Sequence, residues 1–342
     1  MRIAFLCPQL EFAPWDDTSL ETGVGGSGAM VIQYARELAK ENHVTVFCNV
    51  KNPGMYHGVT WLHSDGIGGV FDVALALRTP EPLKQVTAKV RGYVANDQTC
   101  DPLPLAVKEG TVNLIITISK HQTQNYQRFY PEIPKSMYLP SSAGVDWYAY
   151  TGGVPKDYFL CNYTSTPERG LDNLIRLWPQ IHERQPRASL VATGGFQLYG
   201  MTEEQATEHS RGLYEQLAAL PNATYAGPLP RKELIELQMR SALWLYPTAY
   251  EEQCCISALE AMSAKQVLIT SPLAALKERV GTNGFLIEPG FWYDEHFVNR
   301  AVETLGNQPM IDRMGAEGSR LAAYHNYDVL AYAWLMRFRG ML

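Results

Sequence analysis

The chain has no apolar run approaching the roughly 18–20 residues of a membrane-spanning helix, so a transmembrane anchor is not expected anywhere in its 342 residues. It has no Cys-x-x-Cys pair, no Asp-x-Asp and no two histidines at His-x3-His spacing, which leaves redox motifs, zinc ribbons and a metal-held nucleotide without their usual donors. No bound metal is expected. An excess of basic residues is missing too: 29 Lys+Arg stand against 35 Asp+Glu, a net charge of −6, which excludes a nucleic-acid-binding face. Charged residues are only 19 % and hydrophobic ones 46 %, the balance of a globular chain long enough for two domains. Of six cysteines, Cys7, Cys48 and Cys161 lie in or beside apolar runs, where a thiol acts as a small hydrophobe. The start, Met1–Pro8, is too short for a signal peptide's apolar core and cleavage site. A reduced, cytoplasmic setting is expected; peripheral contact with a membrane stays open, without support.

What is present is a regular alternation. Short apolar runs at Ile3–Cys7, Val44–Cys48, Phe71–Leu77, Val90–Ala95, Leu114–Ile118 and Met137–Leu139 alternate with helical stretches, and the second half repeats the pattern at Tyr158–Tyr163, Ser189–Thr193, Ala223–Ala226, Leu243–Tyr246, Val267–Thr270 and Phe285–Ile287. That order predicts β-α-β units and one parallel sheet in each half. Two Rossmann-like domains follow, residues 1–150 and 151–319, with a closing helix over 320–342. The segment Asp146–Lys156, rich in turn formers, reads as the linker.

Residues 250–270 place two carboxylates, Glu252 and Glu260, with seven residues between them across a strand-to-helix turn. In such a unit a ligand sits outside the carboxyl end of the strand, where free helix-start amides favour an anion such as phosphate. Glu252 falls in that crevice, and Glu260, about a turn into the helix, can accept hydrogen bonds from sugar hydroxyls. A second reading makes Ser257-Ala-Leu-Glu260 a capping box that only satisfies the helix's own amides. Arg169, before Gly170 and just after a strand, can fork two diphosphate oxygens and offset the charge of a leaving nucleotide. Gly23-Val-Gly-Gly-Ser-Gly28 matches the dinucleotide fingerprint literally, yet about fifteen residues part it from its strand, and Cys48-Asn-Val-Lys51 lacks the acid a nicotinamide enzyme needs for its ribose. Those glycines can still bring bare amides close to a phosphate or a sugar.

The segment around Glu252 and Glu260 resembles the E-x7-E signature of the retaining glycosyltransferases of family 4, which have the GT-B fold. The resemblance extends to Asn162–Leu171, to Trp15–Ser27 as an amino-terminal glycine loop, and to Ile118–Gln122 and Ala143–Asp146 near the end of the first domain. It implies two Rossmann-like domains facing a central cleft, an acceptor-side domain first and a nucleotide-sugar-binding domain second, with the last helix crossing back to the first. It also implies a hexosyltransferase-type activity: a sugar passes with retention from a nucleotide-diphosphate donor, as co-substrate without cofactor, to a hydroxyl of a glycan, lipid-linked or natural-product acceptor. Implied catalytic residues are Glu252, Arg169, Asn96 and Asp97. For the donor they are Gly25, Gly26, Arg169, Gly194, Gly195, Leu229, Glu252, Cys255, Ile256, Ser257 and Glu260, and for the acceptor Trp15, Asp16, Asp17 and Thr18. The chain departs from the family at Asn96, where a His is common, at Gly28, where an acid often stands, and at Asn162 and Tyr163, where a second basic residue is usual. A sugar-nucleotide-binding protein without turnover, or more remotely a nicotinamide-dependent oxidoreductase, are the alternatives.

Overall fold

The computed structural model describes residues 1–8, 10, 11, 13–196, 201–210 and 212–342, with the backbone alone for Glu203 and Thr207. The chain forms two compact units, Met1–Gly144 with Tyr327–Leu342, and Val145–Asn326.

In the first unit eight strands make one sheet: β1 (Arg2–Cys7), β2 (His43–Cys48), β3 (Gly54–Tyr56), β4 (Val59–His63), β5 (Val70–Leu77), β6 (Thr87–Val94), β7 (Leu114–Thr117) and β8 (Tyr138–Pro140). Their order is β3-β4-β2-β1-β5-β6-β7-β8, all parallel except β3 against β4. Strands such as β7, buried at every residue, read as unbroken apolar runs because helices cover both faces of a parallel sheet. The β3–β4 hairpin was not expected from the sequence. Its turn, His57-Gly58, has both residues in the left-handed region, at φ 49° and 78°, the geometry of a two-residue hairpin turn. Histidine there gives none of the usual Asn-Gly or Asp-Gly signal.

The closing helix Tyr327–Arg339 packs on the helix Gly26–Ala39 of the same unit. Trp334 stacks on Tyr34 with ring centres 3.9 Å apart and donates its indole N–H to Ser141 Oγ at 2.8 Å. Gly144 keeps the approach open, since a Cβ there would lie 2.4 Å from the Tyr327 ring.

The second unit holds β9 (Asp157–Thr164), β10 (Ser189–Thr193), β11 (Ala223–Tyr225), β12 (Ser241–Tyr246), β13 (Val267–Thr270) and β14 (Gly284–Leu286), in the order β11-β10-β9-β12-β13-β14. All its neighbours run parallel. The helix Leu171–Arg184 covers this sheet with Leu171, Leu174, Ile175, Leu177, Trp178 and Ile181, spaced to form one apolar stripe. Each of the twelve apolar runs singled out in the sequence lies on a strand of these two sheets, reaching at most one residue beyond it at an end.

Both strand orders reverse direction once. In the first sheet the chain moves outward from β1 through β2 and β4, then starts again on the other side of β1 with β5; in the second it moves from β9 through β10 and β11, then restarts with β12. The crevice of such a sheet opens outside the carboxyl ends at the switch. Those crevices lie between β1 and β5, and between β9 and β12.

Candidate functional site

At the second switch point, β9 leads into a single tight turn, Pro167–Arg169, and β12 leads into the loop carrying Glu252. Gly170 makes the first turn possible: its φ is 117°, and a Cβ would meet the Pro247 carbonyl oxygen at 2.7 Å. Arg169 Nη1 then reaches both Glu252 oxygens, at 3.1 and 3.2 Å, while its guanidinium lies 4.4 Å from the centre of the Tyr250 ring. Glu252 is 5 % exposed. The fully buried Tyr246, on β12, donates its hydroxyl to Glu252 Oε1 at 2.5 Å. Burial pushes the Tyr246 phenol far up, and the neighbouring carboxylate adds to this, so it remains a donor.

Beyond Glu252 the helix Ile256–Ser263 starts from Cys255, itself in the left-handed region at φ 59°, and no side chain caps it. Ser257 is thus already inside the helix, and the capping-box reading of Ser257 and Glu260 fails on that geometry. Glu260 accepts instead from Gln238 Nε2 at 3.2 Å, and Gln238 is fixed in turn by the Tyr150 hydroxyl at 2.7 Å. Burial pushes the Glu260 carboxyl up; the Arg231 charge and the Gln238 amide pull it back only in part.

The Gly194 turn, at φ 125°, lies against the loop after β9, where a Cβ would come 2.4 Å from the Ser165 carbonyl oxygen. Its own carbonyl accepts the Tyr225 hydroxyl at 2.6 Å. Gly195 is buried next to it, and Leu229, half-buried, lies between the Gly227 turn and the helix Arg231–Arg240. In the place of the family's second basic residue, Tyr163 donates to the Thr166 carbonyl at 2.7 Å, and Asn162 is fully buried with neither side-chain polar atom partnered among the described residues.

In the first unit the residues expected to meet an acceptor are engaged with the protein. Trp15 is 2 % exposed and sits edge-on to Trp61. Asp16 accepts from Thr18 and Asn52, on backbone and side chain of each. Asp17 receives the Arg36 fork at 2.7 and 2.8 Å and His57 Nδ1 at 2.7 Å. Burial pushes its carboxyl up, but Arg36 and His57 outweigh that and hold it below the ordinary value. Asp97 is exposed and receives Gln122 and Tyr126 on its carbonyl, while Asn96 Nδ2 donates to Ser27 Oγ at 3.1 Å.

Three residues here were not singled out in the sequence. Glu11, in the loop after β1, accepts the Gly25 amide at 3.2 Å and the Gly28 amide at 2.8 Å. Arg78 follows β5 in a left-handed conformation, and Tyr246 belongs to a strand run that read as plain core. None lies in a recognisable motif; Glu11 is one of four acids, with Asp16, Asp17 and Glu21, between the first strand and the glycine loop, and nothing local sets it apart.

Residues 154–320 match the model of the family described as glycosyl transferases group 1. No curated protein sequence matches the chain. Among solved structures, sucrose-phosphate synthase of Thermosynechococcus elongatus superposes with a TM-score of 0.76 at 15 % identity, over 100 % of this chain and 99 % of that one. HepE of Anabaena, in complex with UDP-glucose, gives 0.74 at 15 %, over the whole of both chains. WaaG, a glycosyltransferase involved in lipopolysaccharide biosynthesis, gives 0.69 at 14 %, over 99 % of this chain and 100 % of that one. The chain therefore has the GT-B glycosyltransferase fold, and its second unit carries the match to the glycosyl transferases of group 1.

Proposed function

We propose that this chain is a retaining, hexosyltransferase-type enzyme that moves a sugar from a nucleotide-diphosphate donor to a hydroxyl of a glycan, lipid-linked or natural-product acceptor, with no metal or other cofactor. The observation that carries the reading is the Arg169–Glu252–Tyr246 cluster at the β9/β12 switch point, beside an uncapped helix start. A diphosphate offers the Arg169 fork more charge than a single carboxylate and draws it across. The amides of Ile256 and Ser257 take a phosphate oxygen. Glu252, still held by Tyr246, then faces the donor sugar, and Glu260 accepts the ribose hydroxyls, with Cys255, Gly194, Gly195 and Leu229 along the nucleoside.

In this reading the bond from the anomeric carbon to the diphosphate breaks, and the bond to the acceptor oxygen forms on the same face. The departing phosphate takes the acceptor's proton, so fixed charge and positioning replace a protein general base. Asn96 and Asp97 then position. UDP is the first nucleotide to try, since the similar HepE is seen with UDP-glucose. The six cysteines, all buried, fit a reducing compartment such as the cytoplasm.

The test is to incubate the purified protein with a panel of nucleotide sugars and a broad acceptor pool, and to follow nucleoside diphosphate release and the anomeric form of the product. Release that disappears in Arg169→Ala, with retained configuration, is expected. Donor binding with no release from any donor would leave a sugar-nucleotide-binding protein in place of an enzyme.

A further inference from the structure

We propose that the outer face of the closing helix, Tyr327–Arg339, pairs with the same helix of a second copy of this chain, the two running antiparallel, to form a two-fold dimer. The pairing stands whether or not the chain transfers a sugar.

The helix sequence raises the question. Tyr-Asp-Val-Leu-Ala-Tyr-Ala-Trp-Leu-Met-Arg-Phe-Arg carries charge only at Asp328, Arg337 and Arg339, toward its two ends. A helix that is apolar all round belongs in an interior, yet this one is covered on one side alone. Tyr327, Ala331, Trp334, Leu335 and Phe338 are buried, and the helix packs on Gly26–Ala39 of the same unit. On the other side Val329 is 48 %, Tyr332 61 % and Met336 40 % exposed, and Ala333 is exposed among them. Val329, Tyr332 and Met336 stand at i, i+3 and i+7, the spacing by which one helix forms a seam with another.

The end charges select the occupant. A two-fold interface uses the same patch on both molecules, so that patch must complement itself. Asp328 lies in the first turn and Arg337 and Arg339 in the last. An antiparallel copy therefore brings Asp328 beside Arg339 of the second copy at each end of the pair, whereas a parallel copy would set acid on acid and base on base. Arg339 is available for this, since its contact with Glu41, at 3.7 Å, joins two exposed side chains and such a pair is worth little. Asp328 Oδ1 accepts the Val329 amide at 2.6 Å, which holds the carboxylate at the rim of the stripe. The apolar residues agree in that register. With Val329 opposite the stem of Arg339, Tyr332 falls opposite Met336, and the two-fold repeats the contact; a thioether against an aromatic ring is a favourable pairing.

The size of the face sets the strength. The 13 residues span about 20 Å, and a seam of that length buries less than the roughly 800 Å² per partner of a standard interface. The dimer is accordingly weak and forms as concentration rises.

Sedimentation equilibrium of the full chain over a wide range of concentration tests this, with Tm as the check on folding. Wild type is expected to pass from monomer to dimer and no further, because a two-fold pair closes on itself. Tyr332→Glu puts two carboxylates into the seam and should weaken association about tenfold or more, with Tm close to wild type because the position is exposed. Asp328→Arg and Arg339→Asp should each weaken it a few-fold, and the chain carrying both changes should recover. Wild type that stays monomeric throughout, or a dimer indifferent to Tyr332→Glu, would overturn the pairing. Unchanged association in both single charge variants would overturn its antiparallel sense. A monomer that floats with phosphatidylcholine vesicles, and loses them in Tyr332→Glu, would make a bilayer the cover of this face and overturn the second copy.

Discussion

The two units carry the same switch-point topology and opposite arrangements of charge. In the second, the base leaves the first strand and the acid the second, and they close on each other at 3.1 Å with a phenol behind the acid. In the first, the acid leaves the first strand and is held by helix amides, with the base across from it. Topology decides where chemistry can sit. Which side chain comes first decides what the crevice offers: a cation turned outward suits a diphosphate, whereas a carboxylate that takes the glycine amides directs its charge to the helix start.

The sharpest way to break this contrast is to remove charge from the second unit's acid. Glu252→Gln leaves Arg169 without its partner and Tyr246 donating to a neutral amide oxygen. Turnover is expected to fall by about 10²–10³-fold, the scale of losing one fixed group that acts on developing charge, with a smaller change in donor KM. Steady-state kinetics with the best-binding donor decides this; a normal turnover number would remove Glu252 from the reaction.

Glu260 sharpens the contrast differently, because it is a half-buried acid whose folded pKa is raised by loss of solvent around it. Its charged form is less favourable in the folded than in the unfolded chain, so it costs stability as pH rises from its ordinary value through the raised one, and that cost persists at neutral pH. Glu260→Gln should therefore melt higher than wild type at pH 7, with the gap closing as the pH falls toward 4. It should nonetheless bind nucleotide sugar about tenfold or more weakly. Melting curves across pH, set beside donor titrations, test both halves; a variant less stable at pH 7 would contradict the sign.

Much of this was legible beforehand and some was not, for physical reasons. Buried parallel strands leave long apolar signatures, so runs such as Leu114–Ile118 and Val267–Thr270 declared themselves. Glu252, Glu260 and Arg169 stood out because they flank strand-to-helix turns at fixed spacing. The β3–β4 hairpin did not, since His57 holds a left-handed turn position that sequence associates with Asn or Asp. Glu11 and Arg78, after β1 and β5, are nearly seventy positions apart yet near enough for the Arg78 charge to act on the Glu11 carboxyl, and no local pattern encodes that. Tyr246 was hidden because a strand tyrosine looks like core until its hydroxyl is seen on Glu252. Asp16 and Asp17, which the resemblance implies for the acceptor, are bonded to Thr18, Asn52, Arg36 and His57; a carboxylate's partners lie in three dimensions.

Tyr246→Phe asks whether the second unit's acid needs its phenol. The change removes one hydrogen bond to a charged group, worth about 1.5–3 kcal/mol, without changing the ring packed on Trp244 at 4.5 Å. Arg169 is untouched by the change and still turns to the diphosphate, so donor affinity should change little. Turnover should fall by roughly 10- to 100-fold, because the carboxylate loses its second anchor. An effect on donor affinity alone would mean that Tyr246 supports the fold of the loop and not the orientation of Glu252.

The smallest expected effect is at Asn96, and it bears on the first unit alone. Its Nδ2 donates to Ser27 Oγ at 3.1 Å at the start of the glycine helix, and an amide cannot titrate near neutral pH. If the leaving phosphate takes the acceptor's proton, no titrating group is needed there. Asn96→Ala should then cost one positioning hydrogen bond, about 0.5–1.5 kcal/mol, read as a few-fold rise in acceptor KM with turnover nearly unchanged. Losing a general base would instead lower turnover by about 10²–10⁴-fold. Asn96→His offers the converse measurement: with an imidazole restored, turnover should not rise, because the proton already has its acceptor. A large gain from that histidine, with a pH profile turning near the imidazole pKa, would show that the wild-type site lacks a base it needs, and would transfer the proton from the departing phosphate to the first unit.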